Sequence, residues 1–274
     1  RDYARDAKRG RPARVQVLID AADPLASQSA VAAAQLVAQV TNLEILLREA
    51  GAARGWSADR VPFEARVRPL YNPALKSSHF IVPGIIGIIL SITMMIITSM
   101  ALVRERERGT LEQLIVTPIT RAELMIGKIS PYVLVGYVQV TAVLLLGYFI
   151  FRVPIRGSLL ELYAVTFLFI VANLGLGLFI STLVKTQQQA MQASYFFILP
   201  NILLSGFMFP REAMPHVARE IGLLFPLTFY LEILRGIVLK GAGVVALWPE
   251  TLALAGFAAG LFLFSVLRFQ KRLE

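Results

Sequence analysis

Five stretches of this sequence hold about twenty mainly apolar residues each, the length an α-helix needs to cross a hydrocarbon core of about 30 Å. They run about 82–103, 130–151, 159–184, 190–209 and 246–267. A soluble core does not need runs of this length, and the rest of the composition agrees. Hydrophobic residues make up 56% of the 274 and charged residues only 16%, against about 25% charge in an ordinary soluble domain. The chain therefore reads as an integral membrane protein. Its net charge of +9 does not point to nucleic acid, because the basic residues flank apolar runs and form no aromatic-interleaved patch. The absence of cysteine excludes disulfides and thiolate metal sites within these residues. The two histidines, His79 and His216, lie far apart and argue against a zinc site or a His-based catalytic centre.

Residues 1–79 differ from the rest. They hold 12 of the 27 Lys and Arg and no long apolar run. Residues 14–20 begin in alternation and read as a strand. Asp23 is placed as an N-cap, with Pro24 at the first helical position. The Ala- and Leu-rich stretch 25–50 follows as a helix, and Gly51 is placed to end it. Residues 63–68 alternate again as a second strand. Two strands and one helix make a thin core, so this α+β domain is expected to need more strands, from upstream or from a partner.

The semi-polar stretch 210–245 separates the last two spans. Its apolar pieces, 221–225 and 227–234, are broken by Pro226 and are too short to cross. They suit short helices that lie at the interface or dip into the membrane. Five spans put the chain ends on opposite sides. The loop 104–128, Lys185 and the tail hold nine basic residues, against six in 152–158 and 210–245. That count favours a cytoplasmic loop 104–128 with the first domain outside. Adding the 12 basic residues of 1–79 reverses it, although long domains cross largely regardless of charge, so both orientations stay open here. With the first domain outside, no signal peptide or apolar run here would send it across the membrane, so an upstream membrane helix is expected in that orientation.

The most informative stretch follows the first span directly. Arg104, Arg106 and Arg108 alternate with Glu105 and Glu107, and Gly109 can stop the long helix. Thr110 and Gln113 have capping-box spacing, so a new helix can start at once. Pro118 ends it after about two turns, and Thr120 with Glu123 repeat the spacing for the next helix. The result is a short, separately capped helix over about 109–117. Leu111, Leu114 and Ile115 fall at i, i+3 and i+4 and give it an apolar face, with Glu112 and Gln113 on its edges. The spacing fits two roles: a helix resting on the lipid surface, or a helix inserted into a groove on a partner, whose movement it would pass to the spans.

The stretch 105–118 resembles the signature of type-2 ABC exporter permeases, in which this segment forms the coupling helix that docks on the ATPase subunit. Further matches follow in order: Tyr71-Asn72-Pro73 with Phe80-Ile81-Val82-Pro83-Gly84; Ser205-Gly206-Phe207-Met208-Phe209-Pro210; Met214-Pro215; Phe225-Pro226-Leu227-Thr228; Leu234-Arg235-Gly236-Ile237; and Lys240-Gly241. The resemblance covers about 70–274, and the first domain more loosely. It implies an all-α polytopic membrane bundle with six helices, a large extracytoplasmic α+β domain between the first two, and re-entrant helices at about 210–245. Residues 1–79 would be that domain and 80–274 the permease domain. The chain would sit in a bacterial inner membrane, coupling loop and C-terminus cytoplasmic. It would pair with a second permease subunit, identical or sister, and with two ABC ATPase subunits that bind ATP and Mg. A periplasmic adaptor is a further partner the resemblance allows, and a drug-like or amphiphilic molecule is the implied cargo.

Other residues carry two readings each. Pro200 breaks the hydrogen-bond ladder of its span, next to Asn201 and before Ser205: a tolerated kink, or a bent helix lining a pathway. Asn173, Gln139 and Asn201 are amides inside apolar runs and should face protein or a cavity. Gly175 and Gly177 allow close helix approach. Arg235 and Lys240, with Glu232 one turn before Arg235, read as interfacial anchors that snorkel. No acidic residue lies deep in any span, which counts against an ion-coupled carrier. No Gly-x-x-x-x-Gly-Lys-Ser/Thr run occurs, so ATP would be hydrolysed by another chain. A membrane enzyme would need clustered catalytic groups, and none is visible. A non-transporting signal transducer, with the first domain as sensor, is the alternative.

Overall fold

Strand-like alternation before and after an Ala-rich helix, then long apolar helices, are what the computed structural model contains. It describes residues 13–51, 63–109 and 121–268. The chain divides into two compact units, Arg1–Ser77 and Ser78–Glu274. The expected short helix at 109–117 falls outside the described residues beyond Gly109.

In the first unit β1 (Ala13–Asp20) and β2 (Phe63–Leu70) pair in parallel, from Ala13 opposite Phe63 to Asp20 opposite Leu70. A parallel pair needs a crossover, and α1 (Pro24–Gly51) lies within it. The expected N-cap is present: Asp23 Oδ1 accepts from the Ala26 N–H at 3.3 Å. The Ser27 hydroxyl donates to the Asp20 carbonyl at 2.9 Å and so ties the first turn of α1 to the end of β1. After β2 the buried Asn72 side chain closes the chain on itself. Its Nδ2 donates to Lys76 O and its Oδ1 accepts from Lys76 N, both at 3.0 Å.

The regular elements described in the second unit are all helices. Its elements are α2 (Ser77–Glu107), α3 (Arg121–Phe149), α4 (Leu159–Leu183), α5 (Gln187–Leu204), α6 (His216–Gly222), α7 (Pro226–Arg235) with a π-turn at Gly236–Lys240, and α8 (Trp248–Arg268). Four segments are long and apolar enough to cross a membrane: Ser77–Glu107, Ile126–Phe149, Leu159–Leu183 and Val244–Ser265. A fifth is added if α6 and α7, bent by 88° at Pro226, count as one. The expected span at 190–209 is shorter than its apolar run. Helix α5 stops at Leu204, and Gly206 turns the chain at φ 84°. Gln187–Gln189 make its first turn polar, which keeps it out of that group.

The two helices of 210–245 differ: α6 is mostly exposed, and α7 is buried within the unit. Leu227, Tyr230, Leu231 and Ile233 of α7 are completely buried, and α7 packs against α4, α5 and α8. Tyr230 stacks on Phe169 of α4, rings 4.0 Å apart and almost parallel, and its hydroxyl meets Thr166 Oγ1 at 2.9 Å.

Gly177 explains how closely α2 and α4 meet. A Cβ there would stand 2.7 Å from the Met95 carbonyl and 2.9 Å from Thr98 Cβ. Gly256 on α8 has nothing within 4 Å. We expect Gly177→Leu to destabilise the bundle by about 1–3 kcal/mol through overpacking, lowering the thermal transition in detergent, while Gly256→Leu leaves it unchanged. Equal transitions for both would overturn this packing account.

Candidate functional site

Two neighbouring residues of opposite charge end α2, and each meets the helix end that suits it. Arg106 Nη1 donates to Val184 O at 2.9 Å and Nη2 to Ser181 O at 3.4 Å, the last carbonyls of α4. Glu107 accepts from the Gln187 backbone N–H at 2.9 Å and from the Gln187 side-chain amide, at the first turn of α5. A cation is stabilised at a helix C-terminus and an anion at an N-terminus, because the unpaired carbonyls and N–H groups concentrate there. Arg104 Nε completes the junction by donating to Gln187 Oε1 at 2.9 Å. Glu105 binds Lys128 of α3. One stretch of four residues thus holds the end of α4, the start of α5 and Lys128 in the third turn of α3. Gly109 then turns the chain at φ 70°, as a helix stop requires.

Sequence pattern marks 104–109 as the lead-in to a short, separately capped helix, and the structure gives four of those side chains contacts within the unit. Arg108 is exposed. Thr110, Leu111, Glu112, Gln113, Leu114 and Ile115 lie outside the described residues.

At the other end of α2 three widely separated motifs converge. Phe207 lies over Gly84, so that a Cβ on Gly84 would stand 2.3 Å from its ring. The Arg235 guanidinium sits 3.7 Å from the centre of the Phe80 ring, a cation–π contact, and its Nη1 donates to Gly206 O at 3.1 Å. Arg211 Nη1 bonds Glu232 Oε1 at 2.6 Å. Arg235 and Glu232 thus latch the 205–211 loop onto α2 and α7. A lone Arg near a span end gives no sign of this, because its ring partner is more than 150 residues away in sequence.

The five candidate pathway residues separate. Gln139 Oε1 accepts from Thr93 of α2 at 2.9 Å. Asn173 donates to Phe169 O of its own helix at 2.9 Å, and its Oδ1 has no partner within the chain. Asn201 is completely buried, and neither its Oδ1 nor its Nδ2 has a partner. Ser205 caps α5 and donates to Ile202 O at 3.0 Å; Pro200 is half-buried in the same helix. No hydrogen bond joins the three amides. Sequence reasoning passed over Ser91 and Thr98 of α2, whose buried hydroxyls also lack partners, because a hydroxyl in a helix usually bonds its own backbone. An open apolar groove of about 380 Å³ runs along the bundle between Ile126, Ile129, Val133, Phe167, Val171 and Phe262. Among the described residues no group of His, Asp and Glu could hold a metal ion.

The junction yields a direct expectation. Glu107→Ala removes the acceptor of the Gln187 N–H, so hydrogen exchange at that amide should quicken several-fold. Exchange in the α4 interior should stay as it was. Unchanged exchange at Gln187 would show that this contact does not hold the turn.

A family model for ABC-2 family transporter proteins matches residues 1–267. A probable multidrug ABC transporter permease of Escherichia coli K12, YbhS, is 38% identical over 215 residues, which cover 77% of this chain and 56% of that one. A second one from the same strain, YbhR, is 35% identical over 247 residues, covering 90% of this chain and 65% of that one. An inner membrane transport permease from the same strain, YhhJ, is 33% identical over 273 residues, covering 98% and 71%. The chain thus spans less than two thirds of the length of the first two relatives.

Proposed function

The chain belongs to the ABC-2 family of transporter proteins, and we propose that it is the membrane-spanning permease part of an exporter driven by a separate ABC ATPase. ATP and Mg would bind to that partner, since this sequence has no phosphate-binding Gly-x-x-x-x-Gly-Lys-Ser/Thr run. In this reading residues 109–117 are the cytoplasmic coupling helix, the C-terminus is cytoplasmic, and residues 1–79 lie on the far side of the membrane. The permease acts as a pair, with a second copy or a sister chain, and a periplasmic adaptor extends the route.

The junction at the end of α2 carries the proposal. A helix pushed at 109–117 would move α2, and Arg106 and Glu107 grip the turn between α4 and α5. Displacement would thus reach three helices at once without a flexible link. At the other end α2 meets the 205–211 loop through Phe80 and Gly84, so the same rod would loosen or tighten that loop. The cargo we propose is a drug-like or amphiphilic molecule, taken from the cytoplasm or the inner leaflet. Two observations support it: the relatives' names include multidrug permeases, and the groove beside α3 is apolar and open at its side.

Leu114→Glu places a charge on the apolar face of the coupling helix. It should abolish co-purification of the ATPase and ATP-driven flux in vesicles, with the permease's own yield and thermal transition unchanged. Co-purification at the wild-type level would overturn the docking role of this helix.

A further inference from the structure

Three helices each carry one buried polar group to a common depth, and all three groups keep polar atoms that no part of the chain bonds. Ser91 of α2, Asn173 of α4 and Asn201 of α5 are completely buried. The Ser91 hydroxyl, Asn173 Oδ1 and both polar atoms of the Asn201 amide have no hydrogen-bond partner. Neighbouring contacts fix the register. Helices α2 and α4 run parallel, since Gly177 meets Met95 and Thr98 while Ser181 and Val184 meet Arg106. Asn173, one turn before Gly177, therefore stands level with Ser91, one turn before Met95. Helices α2 and α5 run antiparallel, since Ser194 meets Ser99 and Gln187 meets Glu107. Asn201 follows Ser194 by two turns on the same face and so reaches the depth of Ser91.

Apolar layers flank this level on both sides. Toward the Gly109 end lie Met95, Ile180 and Ile198, one from each of the same three helices. Toward the Phe80 end Gly87 meets Leu227, Leu231 and Tyr230, and Tyr230 stacks on Phe169. Atoms enclosed in this way are out of reach of lipid or of a neighbouring chain. The chemistry narrows the occupant further. The layer offers two carbonyl acceptors, an amide donor and a hydroxyl that does both. Water makes two to four bonds to such a mixture. An ion of either sign would go unneutralised: α5 contains no Asp, Glu, Lys or Arg, and those of α2 and α4 lie at the helix ends. We propose that Ser91, Asn173 and Asn201 form a site for internal water, which bridges α2, α4 and α5. Thr98 lies about 10 Å further along α2 and is not part of it. Water-mediated bonds are nearly as strong as direct ones, so the site ties three helices together where their own side chains do not meet.

Millisecond X-ray pulses turn bound water into hydroxyl radicals, which oxidise the side chains beside it even where bulk solvent does not reach. Met95 is 1% exposed and one turn from Ser91, whereas Met191 and Met208 are open to the outside and report the bulk. In the full-length protein in detergent, Met95 should be oxidised at a measurable rate despite its burial. Asn201→Leu fills nearly the same space with apolar atoms and should slow that oxidation by about fivefold or more, with Met191 and Met208 unchanged. Ser91→Ala removes one partner with little change of shape. It should slow Met95 by about twofold or more, and it serves where the leucine variant yields no folded protein. No oxidation of Met95 in the wild type, or equal rates in wild type and folded variant, overturns the proposal. The thermal transition gives a second reading. A dry layer would be relieved by Asn201→Leu and the transition would rise. A watered layer loses its bridge, so the transition should stay or fall, and a rise overturns the proposal as well.

Discussion

Hydrocarbon offers a polar group nothing to bond to, so every donor and acceptor carried into the bundle must bring its partner. Most of the second unit's side-chain geometry follows from this. Thr93 meets Gln139 across α2 and α3, Ser99 meets Ser194 across α2 and α5 at 2.9 Å, and Thr141 meets Tyr163 across α3 and α4 at 2.6 Å. Ser265 of α8 donates to the Gly175 carbonyl at 3.0 Å. Each pair fixes one helix against another at a set depth. The apolar packing between them, such as Met95, Ile180 and Ile198, resists sliding less on its own, because lipid tails are as apolar as leucine.

Against that background the exceptions gain weight. Ser91, Thr98, Asn173 and Asn201 are buried and hold polar atoms with no partner in the chain. An unsatisfied buried group costs about 1–3 kcal/mol. They lie on the three helices joined by Gly177 and by the Ser99–Ser194 bond, α2, α4 and α5. Contacts of Ser99 with Ser194 and of Met95 with Ile198 set α2 and α5 antiparallel. That register brings Asn201 to the depth of Ser91. A helix carrying Pro200 beside such an amide is poorly braced, whereas α7, fully packed around Tyr230, is rigid.

Much of this was legible in the sequence, for a physical reason: runs of apolar length, caps and breakers act locally. Asp23-Pro24 starts α1, Gly109 stops α2, and Pro226 divides α6 from α7 as local chemistry requires. Contacts made across the fold were not legible. Arg235 has the same signature as a snorkelling arginine until Phe80 is placed beneath it. Glu107 reads as one more surface charge until the start of α5 is brought to it. The end of α5 was misjudged because hydropathy continues through Phe207–Phe209, while the backbone has already turned at Gly206. Within the candidate site, the lead-in 104–109 follows from pattern, but its grip on Ser181, Val184 and Gln187 needs the folded chain.

Helix α2 is the element on which both ends of the unit depend. Its 31 residues make a rod of about 46 Å, longer than the hydrocarbon it would cross, so its charged last turn stands clear of lipid and can form ion-matched contacts. Along its length it is pinned to α3, α4, α5 and α7, and most of its interior-facing residues are buried. Pro83 interrupts its hydrogen-bond ladder near the Phe80 end, and the rest of the helix is closely packed. At the Phe80 and Gly84 end, one aromatic ring, one guanidinium and one backbone carbonyl form the contact with the 205–211 loop. Those contacts are few and partly polar, whereas the glycine-lined helix packing is close. In the proposed coupling role, a push at Gly109 would travel along this closely packed helix toward the 205–211 loop.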